Sequence, residues 1–305
     1  MLITSSLLAH LSQITSIILW TGAIVVTKIL TKEFSPFLVV PTQMLIGTIL
    51  VLLIFLIFKL KVNLKSFISG VIFGLIAPGL AFSFFMYAST KTDAVSMIVF
   101  WSLLPLLTPF FGRIVLSEMT SPVLYVGLAV AILGTYILIY MRTSHGSSDL
   151  IGNVLALCGV GCSIIGHIIG RRFNKIHLKP LDMALGQIFG ATITSSVILI
   201  INIIFFGLET NNLLKLKELF FIPEFIYLVI FATSINFILY NFALSKIPVA
   251  WVSFYSVFIP PLGAIFSFFL LNEAINKYDL IAILIIIVGG LIPSIQKLII
   301  QHRYG

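Results

Sequence analysis

The chain has 305 residues, of which 60% are hydrophobic and 9% charged, with a mean hydropathy of +1.18. A soluble domain carries about 25% charged residues, so this chain could not cover its own surface in water, and a soluble fold is excluded. The formal net charge of +8 is therefore read as a distribution across a membrane, and no nucleic-acid partner is expected.

A helix needs about 20 apolar residues to cross the hydrocarbon core, and ten such runs follow one another along the chain. The first, Ser6–Leu30, has no Lys or Arg before it and no small-residue cleavage site, so it is expected to be a retained span. Pro36–Phe58, Phe67–Thr90, Ala94–Leu116 and Pro122–Met141 come next. After a polar linker come Ile151–Phe173, Leu181–Phe206, Phe221–Ser245, Val249–Leu271 and Tyr278–Ile299. None of these runs alternates apolar and polar residues as barrel strands do. The predicted fold is an all-α integral membrane protein of ten transmembrane helices. Basic residues concentrate in alternate loops, as at Lys59, Lys61, Lys65, Arg171, Arg172, Lys175 and Lys179. That bias places both termini in the cytoplasm, in a bacterial-type inner (plasma) membrane. Cys158 and Cys162 lie one turn apart in the sixth run, a spacing that suits neither a disulfide framework nor zinc, so they read as small packing residues.

The chain repeats itself. "FWSLLPLLTPFFGRIVLSE" (Phe100–Glu118) and "YSVFIPPLGAIFSFFLLNE" (Tyr255–Glu273) share length, internal prolines and a closing glutamate, at an offset of 155 (273 − 118). At the same offset Ala88 meets Ala243, Lys91 meets Lys246 and Gly134 meets Gly289. The earlier spans repeat at 144, pairing Gly22 with Gly166, Pro36 with Pro180 and Gln43 with Gln187. The change of offset places an insertion of 11 residues (155 − 144) after the seventh span, in Leu208–Phe220, which reads as a short amphipathic surface helix. Two domains follow, 1–145 and 146–305, each a five-helix repeat. A unit of five helices re-enters from the opposite face, so the repeats are expected to be inverted. In secondary transporters such repeats put the substrate site at their interface near the midplane and permit alternating access.

The residues that carry this pattern resemble the EamA branch of the drug/metabolite transporter superfamily. They are "LWTGAIVVTKIL", "SPFLVVPTQ", "YASTKTDAVS…LLPLLTPFFGRIVLSE" and its second copy "FALSKIPVAWVS…FIPPLGAIFSFFLLNE". The resemblance covers nearly the whole chain. It implies a carrier of small metabolites with no ATP site and no cofactor, usually an exporter of amino acids, purines or drugs. Some relatives instead import compounds such as choline or S-adenosylmethionine. Relatives often carry an arginine early in the second span where this chain has Gln43, which counts against anionic substrates.

Substrate contacts are expected from midplane polar and aromatic residues: Trp20, Gln43, Tyr87, Trp101 and Ser102 in the first half, and His167, Gln187, Asn236, Tyr240, Asn241 and Tyr255 in the second. Buried amides and imidazoles are expensive in hydrocarbon, so each must face a partner helix or a watery cavity. Interhelical hydrogen bonding is the structural alternative for every one of them. Pro105, Pro109, Pro260 and Pro261 fall inside spans and are expected to kink them around a cavity. Glu118 and Glu273 close their spans, either as gating or dimer contacts at the membrane face or as caps of the next helix. No carboxylate lies mid-span, so a proton-coupled cycle would need His167, His10 or an end carboxylate. A cation would have to be held by aromatic faces such as Trp101, Tyr240 and Tyr255 rather than by a countercharge, so neutral, zwitterionic or aromatic molecules fit more comfortably. Gly70/Gly74, Gly166/Gly170 and Gly186/Gly190 have the spacing that lets helices pack closely.

Other classes fare worse. An enzyme would need clustered acids, bases or metal ligands; "HGSSD" (His145–Asp149) has the wrong spacing for an acyltransferase motif and lies between the halves. No phosphate loop of the G-x-x-x-x-G-K-[ST] kind is present, so an ATP-driven pump is not expected. A lipid-linked flippase remains a second reading, and a monomer and a homodimer are equally compatible with the sequence.

Overall fold

A computed structural model of the chain describes residues 2–30, 33–89, 103–118, 121–142, 150–176, 178–207, 216–271 and 277–304, and every regular element among them is helical. The first half holds α1 (Leu2–Leu30), α2 (Pro36–Ile57), α3 (Leu64–Gly74), α4 (Ala81–Ser89), α5 (Leu104–Leu116) and α6 (Pro122–Arg142). A π-helical stretch, Leu75–Leu80, joins α3 to α4. The second half holds α7 (Leu150–Lys175), α8 (Pro180–Phe206), the one-turn α9 (Leu216–Leu219), α10 (Pro223–Tyr227), α11 (Asn236–Lys246), α12 (Val249–Phe254), α13 (Ile259–Leu271) and α14 (Lys277–Tyr304). A second π-helical stretch, Leu228–Ile235, joins α10 to α11, and a 3-10 turn, Tyr255–Phe258, joins α12 to α13. Of the predicted surface helix over 208–220, only α9 lies within the described residues.

Prolines mark several starts. Pro36, Pro180 and Pro223 open their helices directly after an extended residue. There a missing N–H costs nothing and the fixed φ already suits the helix. Asn63 caps α3 by accepting from the Ser66 amide at 3.0 Å. Among the described residues seven helical runs are long and apolar enough to cross a membrane, and Leu107–Leu116, Pro122–Ile137 and Leu280–Ile292 are shorter apolar helices.

The outer surface is the apolar one. On α2, Leu45, Ile49, Leu52 and Leu56 form an exposed stripe, while Met44, Val51 and Phe55 are buried behind it. Lipid tails satisfy such a stripe but provide no hydrophobic drive to bring helices together, so packing must come from close backbone approach and polar bonds. The glycine pairs supply the first. A Cβ on Gly186 would strike the Phe67 carbonyl, one on Gly190 the Val71 carbonyl, and one on Gly74 the Gln187 backbone. The pairs Gly70/Gly74 and Gly186/Gly190 are the two sides of one seam, α3 against α8.

The packing is reciprocal between the halves. Gly134 of α6 meets Ala282 and Ile286 of α14, and Gly289 of α14 meets Gly127 and Ala131 of α6. The offset of 155 turns one set into the other (134 + 155 = 289, 127 + 155 = 282, 131 + 155 = 286). On α2 and α8, Thr48 Oγ1 lies 3.1 Å from Thr192 Oγ1, its own counterpart at 144. A residue that touches its own counterpart lies beside the axis that exchanges the repeats.

The helix breaks obey the same relation. Leu75–Leu80 shifted by 155 is 230–235, inside the second π-helical stretch. At the first break Ala77 leaves the helical region (φ −138°, ψ 114°) ahead of Pro78, across a cis peptide bond. The residue before a proline is pushed towards extended backbone. The Gln187 amide donates to the Ala77 carbonyl at 3.0 Å, and its counterpart Gln43 donates to Thr233 Oγ1 in the second break at 2.8 Å. The expected kink at Pro105 is different in kind: Pro105 sits in the first turn of α5, where it removes no helical bond. Pro260 and Pro261 follow the 3-10 turn at the start of α13. Pro78, which the repeat pattern does not single out, stands at the sharper break.

Two measurements probe this packing. Gly186→Ala should lower the melting temperature in detergent, since overpacking costs about 1–3 kcal/mol, whereas Gly161→Ala, with open space around it, should hold or raise it. Gln187→Leu should cost more stability than Gln43→Leu, because it strands the Ala77 carbonyl, a loss of about 1–3 kcal/mol, and removes one of the two acceptors of the Asn241 amide. Equal melting curves for the two glutamine variants would contradict that account.

Candidate functional site: a polar cavity between the repeats

Where the first break, the middle of α1 and α7 and the first turns of α8 and α11 converge, the helices line a cavity of about 90 Å³. One wall comes from the first repeat, with Gln13, Ser16 and Trp20 of α1 and the Ala77–Pro78 break. The facing wall comes from the second, with Ser163 and His167 of α7, Gln187 of α8, Asn236 and Tyr240 of α11, and Ser256 of the 3-10 turn. Apolar side chains, Phe73, Phe82 and Ile259 among them, make up the rest of the described lining, which includes no charged side chain.

Most of these polar groups are already engaged. Ser16 Oγ donates to Asn236 Oδ1 at 2.5 Å, tying α1 to α11. Gln13 Nε2 donates to the Val252 carbonyl of α12 at 3.1 Å. Gln187 Oε1 accepts from Asn241 Nδ2 at 2.6 Å, and Asn241 Oδ1 accepts from Asn174 Nδ2 at 3.2 Å. This buried amide chain runs from the break in the first repeat through α8 and α11 to α7. His167 Nδ1 lies 3.2 Å from Ser253 Oγ, and its ring centroid is 5.6 Å from that of Tyr240. Trp20 leans on Phe82 at 5.0 Å.

Four buried side-chain oxygens among the described residues have no protein partner, and two of them are in the cavity wall. Gln13 Oε1 and the Tyr240 hydroxyl are buried without a hydrogen bond. A buried polar atom left unmet costs about 1–3 kcal/mol, and both belong to residues that line the cavity. Water or a cargo molecule is the physical means of meeting them. The space suits several waters, and it is below the roughly 300–1,000 Å³ of a site for a drug-sized ligand.

The structure sorts the expected contact residues. Trp20, His167, Gln187, Asn236 and Tyr240 line the cavity. Asn241 stands one layer behind, spent on Gln187. Gln43 is spent on Thr233, and Tyr87 sits against Phe37 at 5.0 Å and accepts from Asn202 at 3.5 Å. Tyr255 pairs its hydroxyl with His10 Nδ1 at 3.0 Å, with Trp251 packed edge-on against His10. Trp101, Ser102 and Glu273 lie outside the described residues. Glu118 is buried, bound to Arg171 Nε at 2.7 Å, and it accepts from the Val249 amide at 2.9 Å. It thus caps α12, in the other repeat. The next helix, α6, takes its first-turn bond from Ser121, whose hydroxyl accepts from the Val123 amide at 3.3 Å.

Gln13, Ser16, Ser163 and Ser256 are cavity residues that sequence reasoning missed. Single serines in apolar helices carry little signal, because they also bond their own helix, as Ser163 does to the Gly159 carbonyl at 3.0 Å. Ser256 was within reach: the offset of 155 lays it over the candidate Trp101.

Comparison with known proteins agrees with this architecture. The model of the EamA-like transporter family matches twice, over residues 7–140 and 150–294. A Clostridium kluyveri protein described as an uncharacterized transporter is 25% identical over 268 residues, covering 85% of this chain and 83% of that protein. A solved structure described only as "Crystal structure of protein" superposes with a TM-score of 0.76 at 18% identity, covering 94% of this chain and 96% of that one, which shows a shared fold. With both of its halves matched, the chain belongs to the EamA-like transporter family, and it is a multi-pass membrane transporter.

Proposed function

We propose that the protein is a secondary transporter of small, uncharged or zwitterionic organic metabolites, working by alternating access around the cavity between its repeats. Ten spans in two inverted five-helix repeats, 1–145 and 146–305, would supply the two half-gates, with both termini in the cytoplasm of a bacterial-type inner membrane. One observation carries the substrate class: the described walls combine aromatic faces with neutral amides and hydroxyls, among them two oxygens without partners. An ion would meet no countercharge there, and burying one unpaired is costly. Trp20 and Tyr240 offer ring faces, and Gln13 Oε1 accepts an N–H or O–H from the cargo. Family likeness favours export over uptake.

The test is counterflow into proteoliposomes of the purified protein, with labelled amino acids, nucleosides, S-adenosylmethionine and quaternary amines, with and without a pH gradient. Saturable exchange of a neutral or zwitterionic class is the expected outcome. Exchange confined to anions would overturn the substrate reading. With the active compound in hand, Trp20→Ala should cut flux at least tenfold with expression unchanged. Tyr240→Phe should separate two roles: it removes a hydroxyl without a protein partner, so the melting temperature should hold or rise, while transport falls if that hydroxyl meets the cargo. A Tyr240→Phe protein with lower stability and full flux would make the residue a packing element.

A further inference from the structure

Glu118 and Arg171 form a buried ion pair that joins the repeats, being 7% and 8% exposed. Glu118 follows α5, whose last residue hands over to Ser117 in a left-handed conformation (φ 52°). Arg171 lies near the end of α7, in the second repeat. The guanidinium does two jobs, donating Nε to Glu118 Oε1 at 2.7 Å and Nη1 to the Leu244 carbonyl at 2.6 Å. The carboxylate also does two, its other oxygen accepting from the Val249 amide at 2.9 Å. Leu244 is in the last turn of α11 and Val249 is the first residue of α12. The cation therefore rests on a helix C-terminus and the anion on a helix N-terminus, each the favourable sign for its end. Four helix ends, from α5, α7, α11 and α12, are fastened at one point.

The duplication does not repeat this device in full. The offset of 155 lays Glu273 over Glu118, but the offset of 144 lays Thr27 over Arg171 (171 − 144). In sequence, the counterpart of Arg171 is thus a threonine, with Lys28 at the counterpart of Arg172 (172 − 144).

We propose that Glu118 and Arg171 are an ionic latch at this face of the transporter, which can stay shut only while each charge meets the other. This rests on the alternating-access reading above. With the orientation proposed there, the latched face is the cytoplasmic one. Opening hydrates both charges, so the intact pair biases the equilibrium only modestly. Removing one partner is different, because the remaining charge is buried and unpaired while the face stays closed. Single variants should therefore open the face, and removing both charges should let it close again.

The test measures distance and needs no substrate, so its outcome is independent of whether metabolites are carried. Spin labels go on Arg113→Cys and Lys246→Cys, both exposed, in a Cys158→Ser/Cys162→Ser background reconstituted in liposomes. The parent should give one short distance. Glu118→Gln, which is isosteric and keeps an acceptor oxygen, and Arg171→Met should each add a longer population. A cost of about 3–5 kcal/mol for an orphaned buried charge corresponds to a rise of about 10²-fold or more in the open-to-closed ratio. Glu118→Gln combined with Arg171→Met should return towards the parent. The isosteric Glu118→Gln decides the matter if Arg171→Met does not fold. Parent-like distances in the single variants overturn the latch, as does a double variant as open as the singles, which would assign the effect to lost hydrogen bonds.

Discussion

The constraint on which this molecule depends is that hydrocarbon offers no water to a freed backbone group. Ala77 turns out of the helix ahead of Pro78 inside an apolar span, and that is tolerable because the Gln187 side chain reaches its carbonyl from the other repeat. Gln187 in turn needs Asn241 on its oxygen, and Asn241 needs Asn174. One interrupted turn thus recruits a chain of amides across three helices. The second repeat carries the counterpart, where Gln43 reaches Thr233. The polar centre exists because the helices are broken there, and the breaks are stable because the polar groups come from the opposite half.

This arrangement ties fold to function. The cavity lies at the first break, where backbone regularity has already been given up and where residues from both repeats meet. Around it the seams differ. The α3–α8 contact is locked by glycines, so its backbones are in direct contact. The offset of 155 lays Phe225 over Gly70 and Val229 over Gly74, and the offset of 144 lays Thr42 and Ile46 under Gly186 and Gly190 (186 − 144, 190 − 144). The counterpart seam is therefore built from larger side chains. The two repeats therefore differ in how they are held together.

Much of this was legible in the sequence because it rests on periodicity and duplication. The spans, the two repeats and the glycine pairs are patterns of many residues, and the structure joins Gly70/Gly74 to Gly186/Gly190 as the spacing implied. Individual polar residues were less legible. Gln43, Gln187 and Asn241 looked equivalent, yet Gln43 is spent on Thr233 and Asn241 on Gln187, while Gln187 lines the cavity. Which side of a helix faces the cavity depends on crossing angles that one sequence does not encode locally. Arg171 read as one more cytoplasmic basic residue, since its burial depends on Glu118, 53 residues away in sequence. Pro78 was overshadowed by Pro105, Pro109, Pro260 and Pro261, whose repetition drew attention; Pro109 does lie inside α5, but the residue that leaves the helical region is Ala77, ahead of Pro78.

The most direct test of the central claim, that the polar centre between the repeats is a pathway open to each side in turn, is accessibility of a single cysteine at Ser256. Ser256 is buried and lines the cavity. In a Cys158→Ser/Cys162→Ser background, Ser256→Cys would be treated with a membrane-impermeant thiol reagent in sealed vesicles of both orientations. The account predicts slow labelling from either face. Labelling from one face alone, whatever the conditions, would make the cavity a closed-ended cleft and contradict alternating access.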